Sequence, residues 1–147
     1  MMRTQLIKRV LLGTVMAGAL LAMQPARAAD DAVFQAFGGK EGMARVVDDF
    51  LVEVQKDPRI AMFFTPTSIP RLKVQLTEQF CQLTGGPCVY QGADMKSSHA
   101  NMGLTHAHFN ALAEDLQIAM TRAGVPNAAQ NKLLAKLAPM QRDIVTR

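Results

Sequence analysis

Apolar residues recur in helical steps along residues 29–147, and no stretch of that span alternates apolar with polar residues as a half-buried strand does. That pattern excludes sheet-based folds and points to an all-α chain. In residues 42–55 (GMARVVDDFLVEVQ) apolar side chains stand at positions 43, 46, 47, 50, 51 and 54, which puts them on one helical face. Asp57-Pro58 interrupts the pattern, and residues 60–64 (IAMFF) form a short apolar patch before a Pro- and Thr-rich link. Pro70 suits the first turn of a helix. Leu72, Leu76, Gln79, Phe80 and Leu83 continue that helix until Gly85-Gly86-Pro87 ends it. A short helix is expected over residues 93–100. Thr105 is placed to cap a longer one over 106–123, which Gly124-Val125-Pro126 closes; Asn127 is expected to cap the last helix, to about residue 145. Five or six helices of uneven length do not suggest a regular up-and-down bundle. They fit helices that cross at about 50° around a pocket.

The first residues are expected to stand apart from this fold. Arg3, Lys8 and Arg9 make a basic start, an uncharged apolar run extends from Val10 to Met23, and Ala26-Arg27-Ala28 is a small-x-small cleavage site. The three parts together describe a secretory signal peptide over residues 1–28, cleaved after Ala28. The apolar run, about 14 residues, falls short of the roughly 20 that a spanning helix needs. The chain has 16 basic and 12 acidic residues, a formal charge of +4, but Arg3, Lys8, Arg9 and Arg27 belong to the signal, which holds no acid. The remaining domain, residues 29–147, is therefore near neutrality and has no basic excess with which to hold nucleic acid or anionic lipid. It is long enough for a single core. Export implies a periplasmic or secreted location and an oxidising compartment, in which Cys81 and Cys88 could form one bridge or stand as two separate thiols.

All three histidines, His99, His106 and His108, fall within ten residues. A shared metal cluster does not follow. His106 and His108 are two apart and point about 200° away from each other on a helix, and Gly103 separates them from His99. His99 taken alone has a plain reading as a surface or half-buried helix residue. Against that, Met95 precedes it by one helical turn, and Leu104 and Phe109 bring apolar surface just after it. A neutral imidazole on an apolar rim is the setting of a single axial ligand to a flat iron cofactor. Phe50, Leu51, Phe63, Phe64, Leu72, Leu76 and Phe80 could line a pocket for such a cofactor, or could be ordinary core; periodicity does not separate the two.

Several fragments in order resemble one family. FGGKEGMARVVDDFLVEVQKDPRIAMFF is similar to the opening of the group I truncated haemoglobins, with Gly-Gly at 38–39. RLKVQLTEQFCQLTGGPCVYQGADMKSSHANMGLT resembles their distal helix, second Gly-Gly (85–86) and proximal stretch, and HFNALAEDLQIAMTRAGVP with LAPMQRDIV resembles their last two helices. The resemblance spans about residues 36–145. It implies a globin-like fold, a truncated two-on-two helical sandwich around one haem, here behind a cleaved signal peptide. It makes His99 the proximal ligand of the haem iron, puts Phe64 at the family's haem-stacking phenylalanine and Met95 on the proximal side. His106 and His108 fall outside the ligand position and are expected to be solvated residues at a helix start. The Gly pairs would turn a shortened chain sharply by reaching positive φ.

The distal side departs from the family pattern. Leu51 stands where the family typically has a tyrosine, and Leu72 and Leu76 occupy the two distal-helix positions that face the iron. Gln75 is turned 100° from them, towards where the family often has a propionate-binding lysine, and Gln79 is the remaining candidate donor. The resemblance thus implies an exported haem protein that binds a diatomic gas, O2, NO or CO, as in oxygen binding or transport, in an apolar distal pocket that retains O2 weakly. A monomer with no membrane span after signal cleavage is expected. The alternatives are an NO dioxygenase or other haem redox enzyme, which would need a separate reductase because no flavin or nicotinamide fingerprint is present, a cofactor-free helical binding module, and a haem carrier.

Overall fold

The computed structural model describes residues 27–147, with side chains from Asp31 onward. The expected signal peptide lies outside the described residues, apart from its last two, which begin the first helix. Seven α-helices follow: α1 Arg27–Ala36, α2 Gly39–Lys56, α3 Ile69–Leu83, α4 Met95–Ser98, α5 His106–Arg122, α6 Asn127–Leu137 and α7 Gln141–Ile144. Two 3-10 turns, Ala61–Phe63 and Ala138–Met140, complete the described elements.

Every position of the apolar stripe read in α2 is buried: Met43, Val46, Val47, Phe50, Leu51 and Val54. Glu41 in its first turn and Lys56 in its last complement the helix dipole. α2 packs against α3 on one side and α5 on the other, and α6 packs against both α3 and α5. The four helices thereby close a square of two pairs, α2 with α3 and α5 with α6, which is the two-on-two sandwich. Its core is built from Val46, Val47, Phe50 and Val54 of α2, Phe80 of α3, Leu116, Ala119 and Met120 of α5, and Ala129 and Leu133 of α6. α3 is buried mainly in its second half, at Thr77, Gln79, Phe80 and Cys81. Its first half leaves Leu72 and Leu76 half-buried, packed against the core with the remainder of each side chain open.

The two Gly-Gly pairs work differently. Gly38 and Gly39 both take positive φ, 83° and 66°, and turn α1 into α2. In the second pair only Gly85 does so, at 83°. Gly86 is needed for closeness instead, since a Cβ there would lie 2.6 Å from both the Cys81 Sγ and the Phe34 ring. Cys81 and Cys88 form a disulfide across this turn.

Three boundaries differ from those read in the sequence. α1 has a helix where none was anticipated, anchored by Phe34, which is buried and whose backbone N–H donates to the Thr84 carbonyl at 3.2 Å. α4 has four residues rather than the eight anticipated, and residues 87–93 form a loop. The last helix breaks at residues 138–140, where Pro139 enters a 3-10 turn, and Pro126 rather than Asn127 stands at its N-cap. Thr105 caps α5 as anticipated.

Along the α2–α5 seam, Arg59 pairs with Asp57 and Glu114 (each 2.7 Å), and Arg122 with Glu53 (2.7 Å). Arg59 donates to the Asp57 carboxyl and lowers its pKa; Arg122 does the same for Glu53. Asp115 sits beneath these pairs, only 4 % exposed. Its Oδ2 has no hydrogen-bond partner among the described residues. Burial, with the neighbouring Asp57 charge, pushes its carboxyl up.

Candidate functional site

α4 is a single turn, too short to hold itself in water, and the chain fixes it from outside. Asp94 is its N-cap: its carboxylate accepts from the Ser97 N–H at 2.8 Å and the Ser97 hydroxyl at 2.6 Å, bonds that hold its pKa below the usual range. His99 follows the helix as its C-cap, half-buried.

The imidazole of His99 is oriented by two acceptors. Nδ1 lies 2.8 Å from the Met95 carbonyl oxygen, which can only accept. It also lies 3.0 Å from the Ser98 hydroxyl, which has the Asp94 and Met95 carbonyls, 2.7 and 3.3 Å away, to accept its own proton. With acceptors on both sides, the ring proton belongs on Nδ1. In the neutral ring Nε2 is then the nitrogen with the free lone pair, and it has no hydrogen-bond partner among the described residues. A ring held through Nδ1–H to a carbonyl with Nε2 open is the arrangement of a metal-ligating histidine.

The apolar residues assigned to the pocket fall into two depths. Phe50 and Leu51 are core residues, 1 % and 3 % exposed, and the Phe50 ring stands 6.5 Å from that of Phe80, tilted by 45°. Phe64, Leu72 and Leu76 pack on the same core but are half-buried, as is Phe63. Half-buried apolar side chains on a shared core leave faces for a further apolar body. A haem disc, apolar across its plane and anchored through one imidazole, fits this donor set. Gln75 is half-buried and makes no side-chain hydrogen bond among the described residues.

Two expectations need correction. Gln79 was a candidate distal donor. It is instead buried at 8 % exposure and its Nε2 donates to the Met95 Sδ at 3.7 Å, so its amide ties α3 to the proximal turn. His108 was expected to be solvated. Only His106 is exposed; His108 is half-buried, and its Nδ1 accepts from the Thr105 N–H at 3.3 Å while its own N–H donates to the Thr105 hydroxyl. Its ring meets Phe63 edge-on at 5.0 Å. The signal in the sequence was the Thr-x-x-His spacing, a capping box with histidine in the place usual for Glu or Gln.

The bacterial-like globin family model matches residues 32–146. A group 1 truncated hemoglobin of Mycolicibacterium paratuberculosis is 39% identical over 114 residues, covering 78% of this chain and 84% of its own. That of Tetrahymena pyriformis is 29% identical over 113 residues, covering 77% of this chain and 93% of its own. The crystal structure of the Tetrahymena protein in its Fe(III) form superposes with a TM-score of 0.75, covering 78% of this chain and 98% of that one. The helical square, the oriented imidazole and these relatives lead to one conclusion: the chain belongs to the bacterial-like globins, as a truncated haemoglobin of group 1, a family that carries haem.

Proposed function

We propose that this protein is an exported haem protein that binds a diatomic gas, O2, NO or CO, on iron carried by His99, in a pocket whose distal side is apolar. Haem supplies an iron centre with one open face for the gas. The chain supplies the rest. Met95 and Ser98 hold the His99 ring so that Nε2 is the electron pair offered to the metal. Phe64, Leu72 and Leu76 present apolar surface, and Phe50 and Leu51 back them from the core. Leu51, Leu72 and Leu76 have no polar hydrogen to offer a bound gas, and the Gln79 amide of α3 is engaged by Met95. O2 gathers negative charge on binding iron and depends on such donors more than CO does, so weak O2 retention follows.

The observation that carries this reading is the double restraint on His99 Nδ1. Export is supported by the three-part N-terminal pattern, and the Cys81–Cys88 bridge agrees with an oxidising compartment. No helix among the described residues is long and apolar enough to cross a membrane.

The test is the visible absorption spectrum of the protein, ferric, dithionite-reduced and CO-bound, beside His99→Ala. The expected result is a Soret band that shifts with CO and is lost or much weakened in the variant. An unchanged ferrous spectrum in His99→Ala would overturn the ligand assignment. Location is checked by whether the mature N-terminus starts at Ala29 and the protein leaves the cytoplasm.

A further inference from the structure

We infer that the Cys81–Cys88 disulfide positions His99, so that the thiol redox state of the chain governs how firmly it holds haem. The inference rests on the reading of His99 as the haem ligand.

α4 contributes no buried residue, and the main element it packs against is the four-residue α7. A helix of one turn with so little packing takes its position from what precedes it. What precedes it is fastened in a series of short links. Cys81, fully buried in the last turn of α3, bonds to Cys88. Two residues on, the Tyr90 N–H donates to the Gln82 Oε1 at 2.6 Å, and the Tyr90 hydroxyl donates to the Ala93 carbonyl at 2.9 Å. The Tyr90 ring lies so close over Gly92 that a Cβ there would collide with it. Asp94 then caps α4, Met95 receives the Gln79 amide, and the Met95 carbonyl holds the His99 ring. Covalent restraint at one end of this loop is thus passed over a few residues to the imidazole at the other.

Reduction by a dithiol would break the S–S bond. Its two electrons and two protons would pass to Cys81 and Cys88 as thiols, and the dithiol would become a disulfide. The loop would then be held only by hydrogen bonds, those of Gln82 and Tyr90 and, at its far end, the Gln79–Met95 contact. These are single hydrogen bonds at partly exposed sites, and they compete with water. The His99 ring would lose its fixed direction while the four-helix core, whose apolar cluster includes neither cysteine, stayed folded.

The experiment compares the oxidised protein with Cys81→Ala/Cys88→Ala and with Gln130→Ala. Gln130 is buried in α6, where its amide donates to the Val125 carbonyl at 2.8 Å, so its loss weakens the fold away from α4. Three quantities are read: the rate of haem transfer to an excess of acceptor apoglobin, the iron–histidine stretching band of the ferrous protein, and hydrogen exchange at the Ser98 and His99 amides of the apoprotein. The double variant should lose haem about tenfold faster or more, a change equivalent to one factor of ten in binding. It should also broaden or shift the stretching band and unprotect the two amides, whereas Gln130→Ala should melt earlier with all three unchanged. Equal haem loss, band and protection in the double variant, with only a lower melting temperature, would overturn the proposal and leave the bridge a simple staple. Should the double variant not fold, the folded wild-type protein is reduced with a dithiol and must show the same three changes, reversed on reoxidation. A stretching band that survives His99→Ala would instead refute the ligand assignment, a result distinct from either.

Discussion

Leu51 is where one side chain decides most about this pocket. It is 3 % exposed, on the face of α2 that joins the core, and it stands where the resemblance to group I truncated haemoglobins implies a tyrosine. Leu51→Tyr should slow O2 dissociation roughly ten- to a hundredfold, the yield of one good hydrogen bond to a charged acceptor, and change CO dissociation far less. Flash photolysis of both gases checks this, and an unchanged O2 off-rate in a folded variant would count against an apolar distal side. Much at this scale was legible from the sequence only through family resemblance. His99 was singled out as the candidate ligand through that resemblance, but the restraint on its ring was not readable, because it runs through the carbonyl of Met95 and the hydroxyl of Ser98, and hydrogen bonds to backbone atoms leave no mark on a sequence pattern. His108 was misread because a lone histidine at a helix start has no periodicity to show which way it faces.

Among the elements, α2 followed its apolar spacing closely, since it buries a continuous stripe, whereas α3 buries only its second half. α4 did not, because its length is set by the loop before it and by tertiary bonds rather than by propensity. The last helix was read too long because Pro139 falls where the apolar pattern continues across a break. α5 provides a test at this scale. Its N-terminus is held by the Thr105 hydroxyl, which accepts from the His108 N–H at 3.3 Å. Thr105→Ala should cost about 1 kcal/mol of stability. His108→Ala keeps that backbone donor but removes the Nδ1 acceptor of the Thr105 N–H together with the edge-on contact with Phe63, a pairing worth about 0.5–1.5 kcal/mol, and should cost more. Urea unfolding of the two apoproteins gives the comparison; equal midpoints would show that the Phe63 contact contributes nothing.

For the whole molecule, the two layers of the sandwich meet along a seam whose charges respond oppositely to pH. Asp57 and Glu53 are held low by Arg59 and Arg122, so the stability they contribute is present above their unfolded pKa of about 4 and is lost as pH falls through the lower folded values. Asp115 is raised by burial, so the folded chain keeps its proton longer than the unfolded chain does. Its contribution therefore weakens the fold as pH rises above about 4. Asp115→Asn supplies a neutral side chain that can donate to Asp57. It should raise the melting temperature at pH 7, and the gain should shrink towards zero as pH is lowered past about 4. Thermal unfolding from pH 3 to 8 would show it, and a variant less stable at pH 7 would refute the account. The fold class and the order of the helices were legible at this scale because one layer of helices covers the other through long apolar stripes. The seam was not, since its partners lie 55 and 69 residues apart.

The bridge at the end of α3 also bears on how such a chain matures. Two cysteines in 147 residues permit one intramolecular pairing. They lie seven residues apart, so the two thiols meet through a short loop whose closure costs little chain entropy. Oxidative maturation then needs a thiol oxidant but no disulfide isomerase, because there is no wrong intramolecular partner to unmake.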